Sequence, residues 1–120
     1  MSDTSKSIIA KKSHQFAILI IELYKSLHNK NEFVIAKQIL RSGTSIGANI
    51  HEALSTETIR DFVYKLSISK KEANETLYWL QLLYDTDYIS ESIFTQLKDQ
   101  CIALKKILSS IILTTKQRYF

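Results

Sequence analysis

Residues 33–54 read FVIAKQILRSGTSIGANIHEAL. Phe33, Ala36, Leu40, Gly43, Gly47, Ile50 and Leu54 recur there in alternating steps of three and four. Such steps keep side chains on one face of a helix, whereas a strand needs steps of two. The period continues on both sides of this stretch. Upstream, Ile9, Phe16 and Leu23 recur every seventh residue, with Ile20 and Leu27 between them. Downstream run Ile59, Phe62, Leu66, Ser69, Ala73, Thr76, Leu80 and Leu83, and then Ile93, Leu97, Gln100, Leu104, Ile107 and Ile111. Four amphipathic helices are expected, over residues 5–28, 32–54, 58–84 and 90–116 of one domain spanning 1–120.

Composition agrees. With no proline and two glycines in 120 residues, the chain lacks the punctuation that sheet turns require. Asp3, Thr4 and Ser5 offer caps for the first helix, and Asn31 followed by Glu32 offers one for the second. Thr58 with Asp61 suits a capping box, and Ser90-Glu91 opens the fourth helix. Joints this short force neighbouring helices to alternate in direction. The expected fold is all-α, an antiparallel up-down-up-down four-helix bundle. Apolar residues beyond the seams, among them Ile18, Ile21, Val34, Ile39, Ile46, Val63, Ile68, Trp79, Leu82, Ile102 and Ile112, are divided between the core and a second face suited to self-association. A homo-oligomer is expected.

Gly43 and Gly47 are both of the chain's glycines, and both lie on the second seam. A glycine inside a helix costs about 1 kcal/mol relative to alanine, so two together point to a close approach. Trp79 or a tyrosine is the expected neighbour. A phosphate-cradling loop is the rival reading. It requires a preceding strand and a lysine after the second glycine, where this chain has a helix and Ala48. Arg41, Ser45, Asn49 and Glu52 share a face of this helix, as Glu72, Glu75 and Trp79 do on the third. If those faces meet, Arg41 pairs with Glu72 or Glu75 and the set becomes a register-fixing polar network. A catalytic carboxylate pair is the alternative. Exchanging Glu75 for Gln is expected to loosen folding if the network is structural.

The block RSGTSIGANIHEA (residues 41–53), followed by KKEANETLYWLQLL (residues 70–83), resembles the four-helix bundle family encoded in intervening sequences of bacterial 23S ribosomal RNA genes. The resemblance runs from about Lys12 to about Thr114. Arg41, Ser45, Ile46, Asn49, Ile50 and Glu52 match the family's R-x-x-x-S-I-x-x-N-I-x-E pattern. Many members carry proline where this chain has Gly47 and glycine where it has Ala53, so the chain looks like a Gly-Ala branch. The resemblance implies an up-down-up-down bundle assembled into a ring-like homopentamer. The family is also similar to the accessory variability proteins of diversity-generating retroelements, basic pentamers that bind nucleic acid and a reverse transcriptase. It carries over no catalytic residue.

Signatures of helical enzymes are missing from the sequence. No glutamate has a histidine three residues on, as a di-iron site requires. His51-Glu52 begins like a zinc protease motif, but Ser55 stands where the second ligand belongs. Glu72 and Glu75 find no matching acidic pair on the fourth helix, and Arg41 and His51 are too far apart for a helical ribonuclease motif. His14 and His28 are isolated, and Cys101 reads as a buried structural thiol. The chain is expected not to be an enzyme and to need neither metal nor cofactor.

Net charge is +4 and the isoelectric point about 9.2. The first and fourth helices are expected to be neighbours, so Lys6, Lys11, Lys12, Lys98, Lys105, Lys106, Lys116 and Arg118 could form one surface for RNA or DNA. Lys65, Lys70 and Lys71 add charge on the third helix, and Tyr119 and Phe120 could stack on bases. A pentamer would multiply the charge to about +20 and give binding a steep salt dependence. The alternative is an interaction scaffold that docks a protein partner and touches no nucleic acid. One cysteine, no signal-peptide pattern in Met1–Lys12, and no apolar run longer than Phe16–Ile21 lead to the expectation of a cytoplasmic protein that does not enter a membrane.

Overall fold

Four helices carry nearly all of the chain: α1 (Asp3–Asn29), α2 (Val34–Ala53), α3 (Ile59–Asp85) and α4 (Glu91–Tyr119). The structure is a computed structural model and describes residues 3–120, among which there is no strand. The side chain of Asp3, one of the expected caps, lies outside the described residues, and Thr4 and Ser5 already belong to α1. Each helix packs on two others in a closed cycle, α1 on α2, α2 on α3, α3 on α4 and α4 on α1. At about 1.5 Å per residue the 29 residues of α4 span roughly 43 Å, which accounts for the 47 Å long axis.

Contacts between neighbours pair rising numbers on one helix with falling numbers on the next. Ile20 meets Gly43 and Ser13 meets Gly47 between α1 and α2. Ser42 pairs with Thr76 and Ile46 with Ser69 between α2 and α3, while Ala73 pairs with Cys101 and Tyr84 with Phe94 between α3 and α4. The core is apolar along the whole cycle, from Phe16, Ile20 and Leu27 through Ile39, Ile46 and Leu66 to Leu80, Leu104 and Leu108.

The stripes of α1 and α3 face this core as expected, apart from exposed Ile59 at the start of α3. Two stripes are rotated. On α4 the buried set is Phe94, Leu97, Cys101, Leu104, Leu108, Ile111 and Thr115, while Ile93 is exposed and Gln100 and Ile107 are half-buried. On α2, Ile39, Ser42, Ile46 and Ala53 replace Phe33, Leu40 and Leu54 at the centre. Both helices carry two adjacent apolar rows of equal period, and packing selects the row that faces two neighbours at once.

The joints use side-chain chemistry. Thr58 accepts a hydrogen bond from the Asp61 amide at 3.1 Å, and Ser90 accepts one from the Ile93 amide at 3.2 Å, each relieving a free amide of a first helical turn. Asn31 does not cap α2. It sits at φ 62° and closes α1: its amide bonds to the His28 carbonyl and the Glu32 amide to the Leu27 carbonyl. Asp87, at φ 65°, closes α3 in the same way through Tyr84 and Leu83. Asparagine and aspartate tolerate this left-handed conformation better than other L residues, though glycine adopts it freely. Asp87 also places a negative charge at the negative end of α3. Asp87→Gly is expected to stabilise the fold by up to about 1 kcal/mol and Asp87→Val to destabilise it by about 1–2 kcal/mol, read as opposite shifts of the urea midpoint.

Candidate functional site

The α2–α3 face carries the polar residues singled out in the sequence. Arg41 reaches across to α3 and pairs with both carboxylates: Nη1 donates to Glu72 at 2.9 Å and Nη2 donates to Glu75. The hydrogen bond to Glu75, foremost, raises the Arg41 pKa above its ordinary value. Glu52 is engaged separately, with Lys65 at 3.1 Å, and Asn49 donates to the Ser45 carbonyl at 2.8 Å within α2. Trp79 takes no part, and its buried Nε1 finds no acceptor among the described residues. Arg41 is half exposed, and exposed ion pairs contribute at most about 1 kcal/mol. Glu75→Gln is therefore expected to cost less than about 1 kcal/mol, with the loss shrinking in high salt when measured by urea unfolding.

Deeper in the same seam lies a hydroxyl ladder that the sequence reading passed over. Thr76 Oγ1 donates to Ser42 Oγ at 2.9 Å and Ser69 Oγ donates to the Ile46 carbonyl at 2.8 Å, all fully buried. Ser69 and Thr76 stand on the apolar stripe of α3. Small hydroxyls at positions where leucine would serve are the signal for helices held close by hydrogen bonds.

Gly43 and Gly47 do make close approaches, but to α1 rather than to Trp79 or a tyrosine. A Cβ on Gly43 would stand 2.8 Å from two carbons of Ile20, and one on Gly47 would stand 3.3 Å from Ser13 Oγ. The glycine edge of α2 points to the helix before it, and Trp79 belongs to the helix after it. An open recess of about 330 Å³ follows this α1–α2 contact, lined by Ala10, Ser13, Ala17, Thr44, Gly47 and Ala48 between exposed His14 and His51.

The eight cations proposed for one surface, exposed Lys11 on α1 among them, do not share one face. Lys12 borders a recess with Gln15, Gln100, Ala103 and Leu104, on the α1 side. Lys98 lies over the ring of Phe94 at 5.4 Å, and Phe94 stacks on Tyr84 of α3. Lys105 acts electrostatically on Cys101, whose thiol donates to the Ala73 carbonyl of α3 at 3.4 Å. Lys98 and Lys105 thus face α3. Steps of seven and eleven residues are close to whole turns at about 100° per residue, which puts Lys116 in the same row. Arg118 stands eighteen residues from Gln100, about five turns, and shares the α1 side. Lys106 is exposed on the outer ridge. At the end of the molecule, half-buried Lys6 lies over Phe62 at 5.8 Å beside Thr115 and Tyr119. Lys70, half-buried on α3, adds to the Lys98 row, since the Ala73–Cys101 contact brings it level with Lys105.

Cys101 is fully buried, and its thiol is pushed up to about 12, chiefly by burial, with Lys105 acting the other way. A thiol whose pKa rises on folding favours the folded state below the unfolded value near 9, and that contribution is lost as pH climbs from there to about 12. At pH 8, Cys101 is expected to react with an aromatic disulfide reagent only at the rate of unfolding, and immediately in strong urea.

Among the described residues, no three histidine, cysteine, aspartate or glutamate side chains converge to hold a metal, and no helix is long and apolar enough to cross a membrane. What these features define is a small all-helical protein of four helices, bound together by an apolar core and presenting charged flanks. The chain belongs to the 23S rRNA-intervening sequence protein family, whose pattern matches residues 5–110. It is similar to a protein of unknown function from the S23 ribosomal protein family of Bacteroides thetaiotaomicron VPI-5482. The two are 48% identical, the match covers 90% of this chain and 97% of that one, and the TM-score is 0.88. No curated protein matches the chain.

Proposed function

We propose that this chain is a non-enzymatic, homo-oligomeric accessory protein of the bacterial cytoplasm that binds nucleic acid through a basic face. In this reading the helices run up-down-up-down, as the falling and rising contact registers favour, and the subunits form a ring-like pentamer, as the family resemblance implies. The observation that carries the reading is the row of like charge along the α3–α4 groove: Lys70, Lys98, Lys105 and Lys116. From Lys98 to Lys116 the row extends roughly 27 Å along a straight helix. Phosphates meeting such a row release counterions, so affinity falls steeply with salt and depends little on sequence. Fluorescence anisotropy with labelled RNA and DNA at about 50 and 200 mM salt tests it. Binding that weakens many-fold between the two supports the reading, and no binding at the lower salt refutes it.

A second reading has its own support. Ile18 and Ile21 on α1 and Val34 on α2, the last 73% exposed, leave apolar side chains on the outside of the subunit. They suit a protein contact, with a further copy of the chain or with a partner such as a reverse transcriptase. Native mass spectrometry of the chain alone separates self-assembly from a surface kept for another protein.

A further inference from the structure

The outer ridge of α3 carries Tyr64, Lys71 and Tyr78 at intervals of seven residues, all exposed. Tyr64 is 62% and Tyr78 58% exposed, which is high for rings that nothing in the fold requires to be outside. Seven residues are nearly two turns, so the three form a line, with about 21 Å between the two rings. Trp79 lies against Tyr78 at 5.2 Å between centroids, tilted by 60°, and restrains that ring while leaving it open to solvent.

Helix register sets this ridge beside the α4 lysines. The Ala73–Cys101 and Tyr84–Phe94 contacts bring Tyr78 level with Lys98, Lys71 level with Lys105, and Tyr64 toward Lys116. The surface therefore has two parallel rows, one aromatic with a central cation and one cationic. Of the carboxylates near the ridge on α3, Glu72 and Glu75 hold Arg41 on the far flank and Asp85 accepts from Gln81 at 2.9 Å, while exposed Asp61 stands three residues before Tyr64. On α4, exposed Asp99 is the acidic neighbour of the row.

Charge alone would suit any polyanion, duplex or single strand. Exposed rings distinguish the two. A duplex hides the faces of its bases in the stack and presents phosphates, whereas a free strand offers both base faces and phosphates. From this, and resting on the nucleic-acid reading above, we infer that the α3–α4 face is a platform for single-stranded nucleic acid, with bases stacked on Tyr64 and Tyr78 and the backbone laid along Lys98, Lys105 and Lys116. Stacking on a ring is tolerant of sequence, so the platform selects for strandedness rather than for a particular base order.

The test uses the full chain and a fluorescein-labelled 20-nucleotide polyuridine, alone and annealed to its polyadenine complement, followed by anisotropy. The free strand is expected to bind more tightly than the duplex. Tyr64→Ala and Tyr78→Ala are each expected to weaken strand binding by roughly tenfold or more, leaving duplex binding and the salt slope unchanged, while Tyr64→Phe and Tyr78→Phe retain it. Circular dichroism and native mass spectrometry confirm that the variants keep their fold and assembly. Equal affinity for both forms, or alanine variants that bind the strand like the parent, overturns the inference and leaves the nucleic-acid reading standing. A change of oligomeric state in the alanine variants also overturns it, because the rings then belong to a subunit contact. Binding of neither form at low salt removes the nucleic-acid reading itself.

Discussion

Gly43→Ala is expected to destabilise the protein by about 1–2 kcal/mol, although the same exchange stabilises most exposed helices. The two effects have opposite sign and their sizes decide the outcome. Alanine in place of glycine gains up to about 1 kcal/mol of helix propensity. Against that, the new methyl would stand 2.8 Å from both Cγ1 and Cγ2 of Ile20, a fully buried residue. Those atoms branch from Cβ, so no terminal rotation clears them, and either the side chain leaves its rotamer or α1 moves away from α2. Overpacking of this kind costs about 1–3 kcal/mol. A thermal melt should show a midpoint roughly 5–10 °C lower. Gly47→Ala is the internal control, because its methyl would meet Ser13 at 3.3–3.4 Å, a contact that a shift of a few tenths of an ångström relieves. Its net effect should be near zero. Combining Gly43→Ala with Ile20→Ala should cost less than the sum of the two single changes, and a fully additive pair would mean that the clash is not the cause.

Replacing Lys98, Lys105 and Lys116 together by glutamine is expected to reduce nucleic-acid affinity at least about tenfold near 0.1 M salt. Each phosphate contact contributes roughly 0.7–0.9 to the slope of log affinity against log salt, so the slope should fall by about 2–3 for each chain engaged. The decisive comparison is with glutamines at Lys11, Lys12 and Lys106, which removes the same charge from elsewhere on a chain of net charge +4. Equal losses from the two sets would mean that total charge governs binding and that the α3–α4 row has no special place. A larger loss from the first set locates the interface. All three of its lysines are on the surface, with Lys105 half-buried, so folding should survive the change.

Periodicity alone placed the four helices within a few residues of their ends, because steps of three and four admit no other regular structure. It also found the buried rows of α1 and α3, where one apolar row has no rival. On α4 it selected Ile93 where Phe94 is buried. The two residues start parallel rows of the same period, and only packing against α3 and α1 distinguishes them. Asn31 was ambiguous for a chemical reason: its short amide side chain suits both a helix start and a left-handed helix end. The glycines announced a close approach but not the partner, since a missing side chain carries no information about direction. The lysines of α4 were visible as a set. Their division between two flanks depends on where the neighbouring helices stand around α4, which a one-dimensional pattern does not encode.

Lys30 follows α1 and donates to the Tyr88 carbonyl at 2.8 Å, a bond that ties the first interhelical joint to the third. In the up-down-up-down arrangement proposed above, the molecule is clasped at one pole, where the α1–α2 and α3–α4 joints are tied together, while the opposite pole holds the α2–α3 joint beside Lys6 and Tyr119. Amide exchange should grade along the rod, slowest near the clasp, and loosening should start where Lys6 and Tyr119 meet. A tether, label or fused domain placed at that far pole would leave the stiff half of the rod undisturbed.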